Sequence, residues 1–419
     1  MQYRKRIIDS KIDELMQISG GVLIEGCKWC GKTTTAKQHA KSLLEFQDPD
    51  RQDEYRQIID TRPSLLLDGE KPRLFDEWQR YPVVWDSVRS DIDRTGEMGQ
   101  YLLTGSAKPK EDSIMHSGTG RISRVTMRPM SLYESGFSDG KISFADIVAG
   151  KDVSASNTTT LEDIANYITW GGWPTIPSIT EKLRSGVARN YVNSVIHEEV
   201  KYTSGAERNY DRMQAVLKSL ARNVSTPVSL TTIEQDVEAN FERGISRPTA
   251  RDYLNTLRKL FVVYDIPATT LAFRSKSAIR TTPKKEFVDP SIAVAALHMT
   301  AEDLVRDLNT FGFMFECMVA RDLISYVCGN EENIYYYRNA DGAEVDFILR
   351  TEDDKWGAVE VKLGAGQIDQ AAQNLLSFKE SVDFDKSGEP AFLMVVTATN
   401  VSYRRPDGVY VASVASLKD

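Results

Sequence analysis

The sequence predicts an α/β protein in which two sheet-containing units flank a mostly helical middle segment. Residues 21–134 alternate short apolar runs, such as GGVLIEG and QYLLTGSA, with amphipathic stretches, which is typical of a mostly parallel sheet. Residues 161–262 show helical periodicity. From about residue 270 strand patterns return, for example in IYYYR, EVDFILR and WGAVEVKL. We therefore expect three domains, with these boundaries: 1–140, 141–268 and 269–419.

The middle segment has the signals of short helices followed by a strand. Its last helix is expected to begin at Ser246, with Pro248 in the first turn. The apolar face of that helix follows helical spacing: Tyr253, Leu254, Leu257, Leu260 and Phe261. The strand VVYDIPA comes next, and this order predicts a winged helix. Residues 138–160 are rich in Ser, Thr, Asp and Gly, so we expect a loop or boundary there.

Composition and charge narrow the class of protein. The chain has 419 residues, of which 27% are charged, and its net charge at pH 7 is -8. This balance excludes a global positive field, so a nucleic-acid site would have to be a local basic patch. The sequence contains no signal-peptide core and no run of the roughly 18 apolar residues that a membrane span needs. Four cysteines are too few for a disulfide framework. We expect a cytoplasmic protein without a membrane partner.

Residues 26–33, GCKWCGKT, fit the phosphate-binding loop (P-loop) pattern G-x-x-x-x-G-K-[ST] at every required position. They lie between an apolar run and a helical stretch, which is the context that the motif requires. In such a loop Lys32 reaches the β and γ oxygens, where it also serves catalysis, and Thr33 ligates Mg²⁺. The pattern predicts ATP and Mg²⁺ as cofactors, held by Gly26, Trp29, Cys30, Gly31, Lys32, Thr33 and Thr34.

An acidic pair at the end of an apolar run completes the expected ATPase site. In LFDEW, we expect Asp76 to hold Mg²⁺ through water and Glu77 to polarise the attacking water. Many strands end in solvated acids, so the pair carries weight only because it accompanies the P-loop. The same loop serves kinases, but the acidic pair and the lack of an acceptor motif favour hydrolysis.

Polar residues after the third apolar run are further candidates for the ATPase site. Thr104 and Ser106 could sense the γ-phosphate or bind nucleotide, although a simple strand-end turn explains them equally well. Arg121 and Arg124 follow in a glycine-rich stretch and could stabilise the transition state, within one chain or across a subunit boundary. Surface arginines are common, and that alternative stays open.

Cys27 and Cys30 form a C-x-x-C pattern inside the P-loop. The pattern also occurs in redox and zinc sites. The sequence has no second Cys or His pair at zinc spacing, so we interpret the two cysteines as small loop residues.

The C-terminal segment contains the elements of a metal-nuclease site of the type written PD-(D/E)xK. Asp346 and Glu360 on adjacent strands could converge on one metal, and Lys362 could orient water or stabilise the leaving phosphate. Glu316, on an amphipathic stretch upstream, could complete the metal site, and Gln367 opens the next helix. A nuclease fold can persist as a binding module, so cleavage is a separate question.

A basic segment, FRSKSAIRTTPKK at residues 273–285, is the best candidate for DNA binding. It carries five basic residues and no acid: Arg274, Lys276, Arg280, Lys284 and Lys285. Arg247 and Arg251 lie near the start of the last middle helix and could add to the patch. Contacts of this kind give salt-dependent, sequence-tolerant binding to phosphates. A solvated face or an interdomain contact is the alternative interpretation.

Further segments accompany these motifs along essentially the whole chain: LFDEWQRYP (74–82), LLTGSA (102–107), RPMSLYESG (128–136), WGGWP (170–174), SRPTARDYL (246–254), FRSK (273–276), FVDPS (287–291), DGAEVDFIL (341–349) and AVEVKLG (358–364). With them the chain resembles a group of bacterial and archaeal AAA-type ATP-binding proteins that have a C-terminal nuclease-like domain. The resemblance implies a P-loop NTPase core of AAA type, a winged-helix-like middle and a second α/β domain of restriction-endonuclease-like type.

The resemblance also carries roles onto individual residues. ATP-binding roles fall on Gly31, Lys32, Thr33, Asp76 and Glu77, and nuclease-like roles fall on Glu316, Asp346, Glu360 and Lys362. The chain departs from the pattern at residues 104–106, where Thr-Gly-Ser replaces the Asn that many AAA proteins have.

Two functional hypotheses of different classes follow. The first is an oligomeric protein, a hexamer or another ring, that uses ATP to bind, remodel or cleave double-stranded or branched DNA. The second is a nucleotide-dependent switch that binds a protein partner and carries an inert nuclease-like domain. The second predicts slow turnover, no DNA affinity and no effect of removing Asp346 or Lys362. A phage-defence or toxin–antitoxin effector ranks last, because the sequence offers no separate sensor domain.

Overall fold

The computed structural model describes residues 3–106, 118–196, 210–240, 244–269, 282–327, 333–339, 343–351 and 353–419. The chain forms two compact units. The first unit is Met1–Arg128 with Lys259–Phe261, and the second is Pro129–Arg258 with Val262–Asp419. In the described residues no helix has both the length and the apolar character needed to cross a membrane.

The first unit is built on a five-stranded parallel sheet with the order β2-β3-β4-β1-β5. Its strands are β1 Gly21–Glu25, β2 Ser42–Glu45, β3 Arg73–Asp76, β4 Tyr101–Gly105 and β5 Ile122–Thr126. Its helices are α1 Ile8–Ile18, α2 Lys32–His39, α3 Gln52–Thr61 and α4 Val83–Thr95. The parallel α/β sheet expected from the sequence is therefore confirmed.

Burial of apolar side chains explains why these strands form. All five residues of β1 and all five of β4 are buried, which is typical of central strands covered on both faces. Phe75, Trp78 and Trp85 belong to the core of this sheet, and the rings of the two tryptophans lie 4.9 Å apart. Because every strand is parallel, the carboxyl ends of β1, β3 and β4 meet at one edge of the sheet.

The second unit contains a seven-stranded mixed sheet with the order β10-β11-β12-β13-β15-β14-β7. The strands of this unit are β6 Ile142–Ser143, β7 Ser154–Ser156, β8 Val263–Ile266, β9 Lys284–Phe287, β10 Ile334–Arg338, β11 Glu344–Arg350, β12 Trp356–Lys362, β13 Phe392–Thr397, β14 Val401–Arg404, β15 Tyr410–Ser413 and β16 Leu417–Lys418. Strands β10, β11 and β12 are antiparallel neighbours, whereas β12, β13 and β15 run parallel.

The helices of the second unit lie mostly in the middle of the sequence, and some of them pack on this sheet. They are α5 Leu132–Ser135, α6 Phe144–Val148, α7 Leu161–Trp170, α8 Ser185–Ser194, α9 Tyr210–Arg222, α10 Leu230–Asn240, α11 Arg247–Lys259, α12 Pro290–Ala296, α13 Ala301–Arg306, α14 Leu308–Tyr326, α15 Ile368–Ser381 and α16 Phe384–Ser387. Helix α15 packs on β12 and β13 through residues such as Ala372 and Leu375. Helices α9–α11 precede the antiparallel pair β8–β9, and the winged helix stays a prediction.

The structure differs from the expected loop at residues 138–160. This segment contains β6, α6 and β7. Strand β6 pairs with β16, and β7 forms the edge of the large sheet by pairing with β14. The strands are only two and three residues long, so their side chains produce no readable alternation. The three domain boundaries stay predictions, with the qualification that residues 142–156 contribute strands to sheets of the C-terminal part.

A buried ion-pair centre, which we call the polar hub, lies inside the second unit. It consists of Arg321 and the carboxylates of Asp289 and Asp322, and all three side chains are at most 2% exposed. Asp289 accepts hydrogen bonds from Arg321 (2.8 Å) and from the backbone N–H of Gly172 (2.8 Å). Asp322 accepts one from the backbone N–H of Leu132 (3.0 Å). The hub therefore joins four segments that are far apart in the sequence.

Candidate nucleotide site and carboxylate cluster

The P-loop follows β1 and leads into α2, as its sequence predicts. Gly26 and Gly31 have positive φ angles of 152° and 105°, and Trp29 adopts a left-handed conformation with φ 66°. A Cβ atom on Gly26 would lie 2.1 Å from the carbonyl oxygen of Met127, so this position requires glycine. The loop thereby exposes backbone N–H groups at the start of a helix, a geometry that binds anions.

Lys32 lies inside the loop rather than in solvent. It is 5% exposed, and its Nζ atom donates to the carbonyl oxygens of Gly26 (2.9 Å) and Cys27 (2.8 Å). These bonds fix the ammonium group in the concavity of the loop, where its charge faces an incoming phosphate. Thr34 is exposed on the first turn of α2.

Arg6 anchors the loop from outside the motif. Its guanidinium group donates to the carbonyl oxygens of Cys30 (2.9 Å) and Arg128 (2.8 Å), and the side chain is buried. No spacing pattern points to this residue, because its partners are 24 and 122 residues away in the chain.

Cys27 and Cys30 are buried within the loop and form no disulfide. Burial disfavours the thiolate of Cys30, but a hydrogen bond with Cys27 and the charge of Lys32 outweigh burial and lower the Cys30 pKa to about 6. The Sγ atom of Cys30 lies 3.5 Å from the carbonyl oxygen of Met127. Both cysteines therefore shape the interior of the loop.

Asp76 is the point on which the P-loop and the neighbouring strands converge. Its Oδ1 atom accepts hydrogen bonds from the hydroxyl groups of Thr33 (2.6 Å) and Thr104 (2.6 Å). Thr33 belongs to α2, Asp76 ends β3 and Thr104 lies on β4, which separates β1 from β3. The sheet order brings these groups together at the carboxyl edge of the strands.

Glu77 lies next to this point in an unusual backbone conformation. Its φ and ψ angles are 55° and 48°, which is the left-handed region that side chains other than glycine rarely adopt. Its carboxylate accepts hydrogen bonds from Ser106 (2.8 Å) and from Gln79. Its backbone N–H donates to Thr104 Oγ1 (3.1 Å). Gln79 is not recognisable from the sequence as a partner of Glu77, because a Gln two residues after an acid forms no distinctive pattern.

The side chains at this edge fit a nucleotide with Mg²⁺. Thr33 offers a hydroxyl group and Asp76 a carboxylate within 2.6 Å of each other, and both are oxygen ligands of the kind that Mg²⁺ prefers. Magnesium usually keeps several waters and binds through one or two such groups together with phosphates. The residues therefore fit a Mg²⁺–ATP site.

One of the two candidate arginines, Arg121, lies just before β5, and the other, Arg124, lies on it. Arg121 precedes β5 at the amino edge of the sheet, opposite the P-loop, and pairs with Asp93 (2.6 Å). Because β1 and β5 are parallel, Arg121 does not reach the nucleotide site of its own chain. Arg124 lies 3.5 Å from Glu25, the last residue of β1, and stacks over the Trp85 ring at 5.1 Å. A role across a subunit boundary stays a prediction for both.

The C-terminal candidates form a compact carboxylate cluster, which we define as Glu316, Glu344, Asp346 and Glu360 with Lys284 and Lys362. Lys362 Nζ lies 2.6 Å from Glu360 Oε2 and 3.4 Å from Asp346 Oδ2. Asp346 Oδ2 also accepts from the backbone N–H of Val361 (2.8 Å). The expected convergence of strands β11 and β12 is therefore present. Gln367 is exposed and lies 3.5 Å from the backbone N–H of Gly364, outside the cluster.

Lys284 occupies the interior of this cluster. Its Nζ atom lies 2.7 Å from Glu316 Oε1. Burial alone would lower the pKa of Lys284, but the carboxylates of Glu316 and Asp346 outweigh burial and raise it. Burial and the charge of Asp346 raise the pKa of Glu360 to about 7. The site thus holds a charged lysine together with a carboxyl group, that of Glu360, of reduced acidity.

The metal site expected at Glu316, Asp346 and Glu360 stays a prediction. Within the part of the chain that the structure describes, no three His, Cys, Asp or Glu side chains are grouped so that they could hold a metal ion. The ammonium groups of Lys284 and Lys362 lie among the carboxylates of the cluster.

The candidate DNA-binding residues divide into three groups. Arg247 and Arg251 are exposed on the first turns of α11. Arg274, Lys276 and Arg280 lie outside the described residues. Lys284 and Lys285 are buried, and Lys285 pairs with Asp265 (2.9 Å), so neither is available to phosphates as the sequence suggested. Alternation along β9 directs these two lysines to opposite sides.

Three segments of the chain match known protein families. Residues 19–136 match an AAA domain. Residues 161–303 match a domain of unknown function (DUF8612), and residues 311–417 match another (DUF4143). An uncharacterised protein of Haemophilus influenzae is 22% identical over 241 residues, which cover 57% of this chain and 56% of that protein. The match thus spans little more than half of that relative's length.

Partial structural similarity extends to solved structures such as the Walker-type ATPase of Pyrococcus abyssi, with 13% identity and a TM-score of 0.45. That match covers 69% of this chain and 94% of the other. The ORC1 protein of Aeropyrum pernix, solved in complex with DNA, has 11% identity and a TM-score of 0.26, with coverage of 72% and 94%. The family match of residues 19–136 agrees with the P-loop, the acidic pair and the parallel sheet. Residues 19–136 therefore carry the sequence features of an AAA domain.

Proposed function

We propose that this protein binds and hydrolyses ATP and couples the nucleotide cycle to double-stranded or branched DNA, as a hexamer or another ring. The observation that supports ATP hydrolysis most directly is the convergence of Thr33 and Thr104 on Asp76, with Glu77 beside them. Hydrolysis needs a cation for the phosphates, oxygen ligands for magnesium and a base near the attacking water. The AAA domain supplies all three kinds of group at one edge of its sheet.

Each residue of the site has a distinct task in this proposal. Lys32 exchanges its bonds to the loop carbonyls for bonds to the β- and γ-phosphate oxygens. Thr33 and Asp76 would hold Mg²⁺, which would neutralise charge on the phosphates. Glu77, held by Ser106 and Gln79, accepts a hydrogen bond from the attacking water and orients it in line with the leaving group. Thr104 links Asp76 to the backbone of Glu77.

DNA binding rests on exposed positive charge near the start of α11. Arg247 and Arg251 are four residues apart, so they project from the same face of the helix. The basic segment that follows in the sequence adds Arg274, Lys276 and Arg280. Guanidinium groups bind phosphates through two parallel hydrogen bonds and require no base sequence.

DNA should stimulate ATP hydrolysis, and the stimulation should depend on Arg247 and Arg251. We expect duplex, single-stranded or four-way-junction DNA to raise the ATPase rate of the wild type. The double variant Arg247→Ala/Arg251→Ala should bind DNA more weakly. The salt dependence of its binding should decrease by the amount that corresponds to the loss of up to about two phosphate contacts. Phosphate release and fluorescence anisotropy at several salt concentrations measure both effects.

Arg306→Ala is the matched control, because Arg306 is an exposed helical arginine paired with Glu302 in the same unit. It should leave DNA binding unchanged. If no form of DNA changes the ATPase rate and no salt-sensitive binding occurs, the DNA proposal is wrong. A nucleotide-dependent switch for a protein partner would then be favoured, and the lysine-filled carboxylate cluster already supports an inert C-terminal fold.

A further inference from the structure

The carboxylate cluster contains a buried lysine that comes from outside the nuclease-like motif. Lys284 is contributed by β9, whereas the carboxylates come from α14, β11 and β12. It is 2% exposed, and its Nζ atom lies near three carboxylate oxygens: Glu316 Oε1 at 2.7 Å, Glu344 Oε1 at 3.6 Å and Asp346 Oδ1 at 3.8 Å. The rings of Tyr336 and Phe347 lie 5.4 Å and 5.7 Å from the same atom. Carboxylates and aromatic rings therefore surround the ammonium group.

One oxygen of each carboxylate that would ligate a metal is already engaged. Glu316 accepts from Lys284, and Glu360 lies 2.6 Å from Lys362. Asp346 Oδ2 accepts from the backbone N–H of Val361 and from Lys362. Magnesium requires several oxygens at about 2.0–2.1 Å in near-octahedral geometry. These bonds would have to break before such a shell could form.

Charge opposes a divalent ion as strongly as geometry does. Two ammonium groups already lie among the carboxylates of the cluster: Glu360 is buried, and the side chains of Glu316 and Asp346 are 12% and 14% exposed. A divalent ion at the same place would lie within a few ångströms of both lysines, where repulsion between like charges is strong because little water screens it. The two ammonium groups already offset part of the negative charge of the four carboxylates without any added ion.

We propose that Lys284 takes the place of a divalent metal ion and, together with Lys362, supplies its two positive charges, so that the cluster is a closed internal ion-pair network and not a metal site. In this role Lys284 links β9 to α14 and β11, and Lys362 links β11 to β12. The inference concerns only residues of the second unit. It is independent of whether ATP hydrolysis responds to DNA, because the cluster contains no residue of the nucleotide site.

Titration of the full-length, nucleotide-free protein with Mn²⁺ tests this proposal, with free Mn²⁺ followed by electron paramagnetic resonance. We expect Asp346→Asn to bind Mn²⁺ as the wild type does, because the wild-type cluster contributes no site. Lys284→Ala should create one site and raise Mn²⁺ affinity by at least about tenfold, since it removes the nearest positive charge. Adding Asp346→Asn to Lys284→Ala should abolish that site.

Lys285→Ala is the matched control, since Lys285 is the next buried lysine on β9 but pairs with Asp265 outside the cluster. It should not change Mn²⁺ binding. A saturable Mn²⁺ site in the wild type that is lost in Asp346→Asn would overturn the proposal. If Lys284→Ala does not fold, the comparison of the wild type with Asp346→Asn still decides the question, supported by melting temperatures measured with and without Mn²⁺.

Discussion

Lys32→Ala should lower the rate of ATP hydrolysis by at least about 100-fold, the loss typical of removing one preorganised donor to a developing negative charge. The reason is geometric as well as electrostatic. Lys32 is fixed inside the P-loop by the carbonyl oxygens of Gly26 and Cys27, so its ammonium group is already in place for the phosphates. Phosphate release under saturating ATP measures hydrolysis, and titration with a fluorescent nucleotide measures binding.

Lys37→Ala is the matched control on the same helix. Lys37 is exposed and pairs with Glu45, so its removal should leave hydrolysis near the wild-type rate. Glu77→Gln separates binding from chemistry: it should retain nucleotide binding and lose hydrolysis, because only the carboxylate can take up the proton of water. Hydrolysis by Lys32→Ala at the wild-type rate would show that the P-loop is not the catalytic site.

Arg321→Ala should lower the free energy of unfolding of the second unit by about 3–5 kcal/mol. The substitution removes the cation from the polar hub and leaves Asp289 and Asp322 buried without a counter-charge. Removing one partner of a buried ion pair lowers the free energy of unfolding far more than removing one partner of an exposed pair, because the remaining buried carboxylate is not solvated. Urea unfolding followed by tryptophan fluorescence measures the loss.

Arg306→Ala provides the comparison for this prediction. Arg306 pairs with Glu302 on α13, but the two side chains are 75% and 81% exposed. Exposed ion pairs contribute little to the free energy of unfolding, so Arg306→Ala should hardly change the urea concentration at the unfolding midpoint. Equal effects of the two substitutions would contradict the assignment of Arg321 as the centre of a buried network.

The P-loop could be predicted from sequence because all of its determinants lie within eight consecutive residues. The acidic pair could be predicted because a short apolar run ends in Asp76 and Glu77. The partners of these acids were harder to predict. Thr104 contacts Asp76 only because β4 lies between β1 and β3, an order that the chain sequence does not reveal.

Lys284 shows why a basic segment is hard to interpret from sequence alone. Five basic residues without an acid suggested a patch that grips phosphates. The partners of Lys284 are Glu316, Glu344 and Asp346, which follow 32 or more residues later, so the sequence contains no local sign of the pairing. A strand such as KKEF that is buried along its whole length must pair its charges, and that constraint becomes visible only in the fold.

Three further motifs, WGGWP, FVDPS and RPMSLYESG, lie outside both candidate sites and have a structural role. WGGWP contributes the N–H of Gly172 to Asp289, and its Trp173 donates to Ser291 of FVDPS (3.1 Å). A Cβ atom on Gly172 would lie 2.0 Å from the carbonyl oxygen of Met130, so the segment RPMSLYESG requires glycine beside it. These segments form the framework of the second unit.

The short edge strand β7 has a practical consequence for anyone who wishes to study the C-terminal part alone. A fragment that begins at residue 269 lacks β7 and β6, and therefore exposes the hydrogen-bonding groups of β14 and leaves β16 without its neighbour. It also lacks the Leu132 and Gly172 amides that Asp322 and Asp289 accept from. An unpaired sheet edge recruits other chains, so such a fragment would aggregate through β14 rather than report on the intact protein.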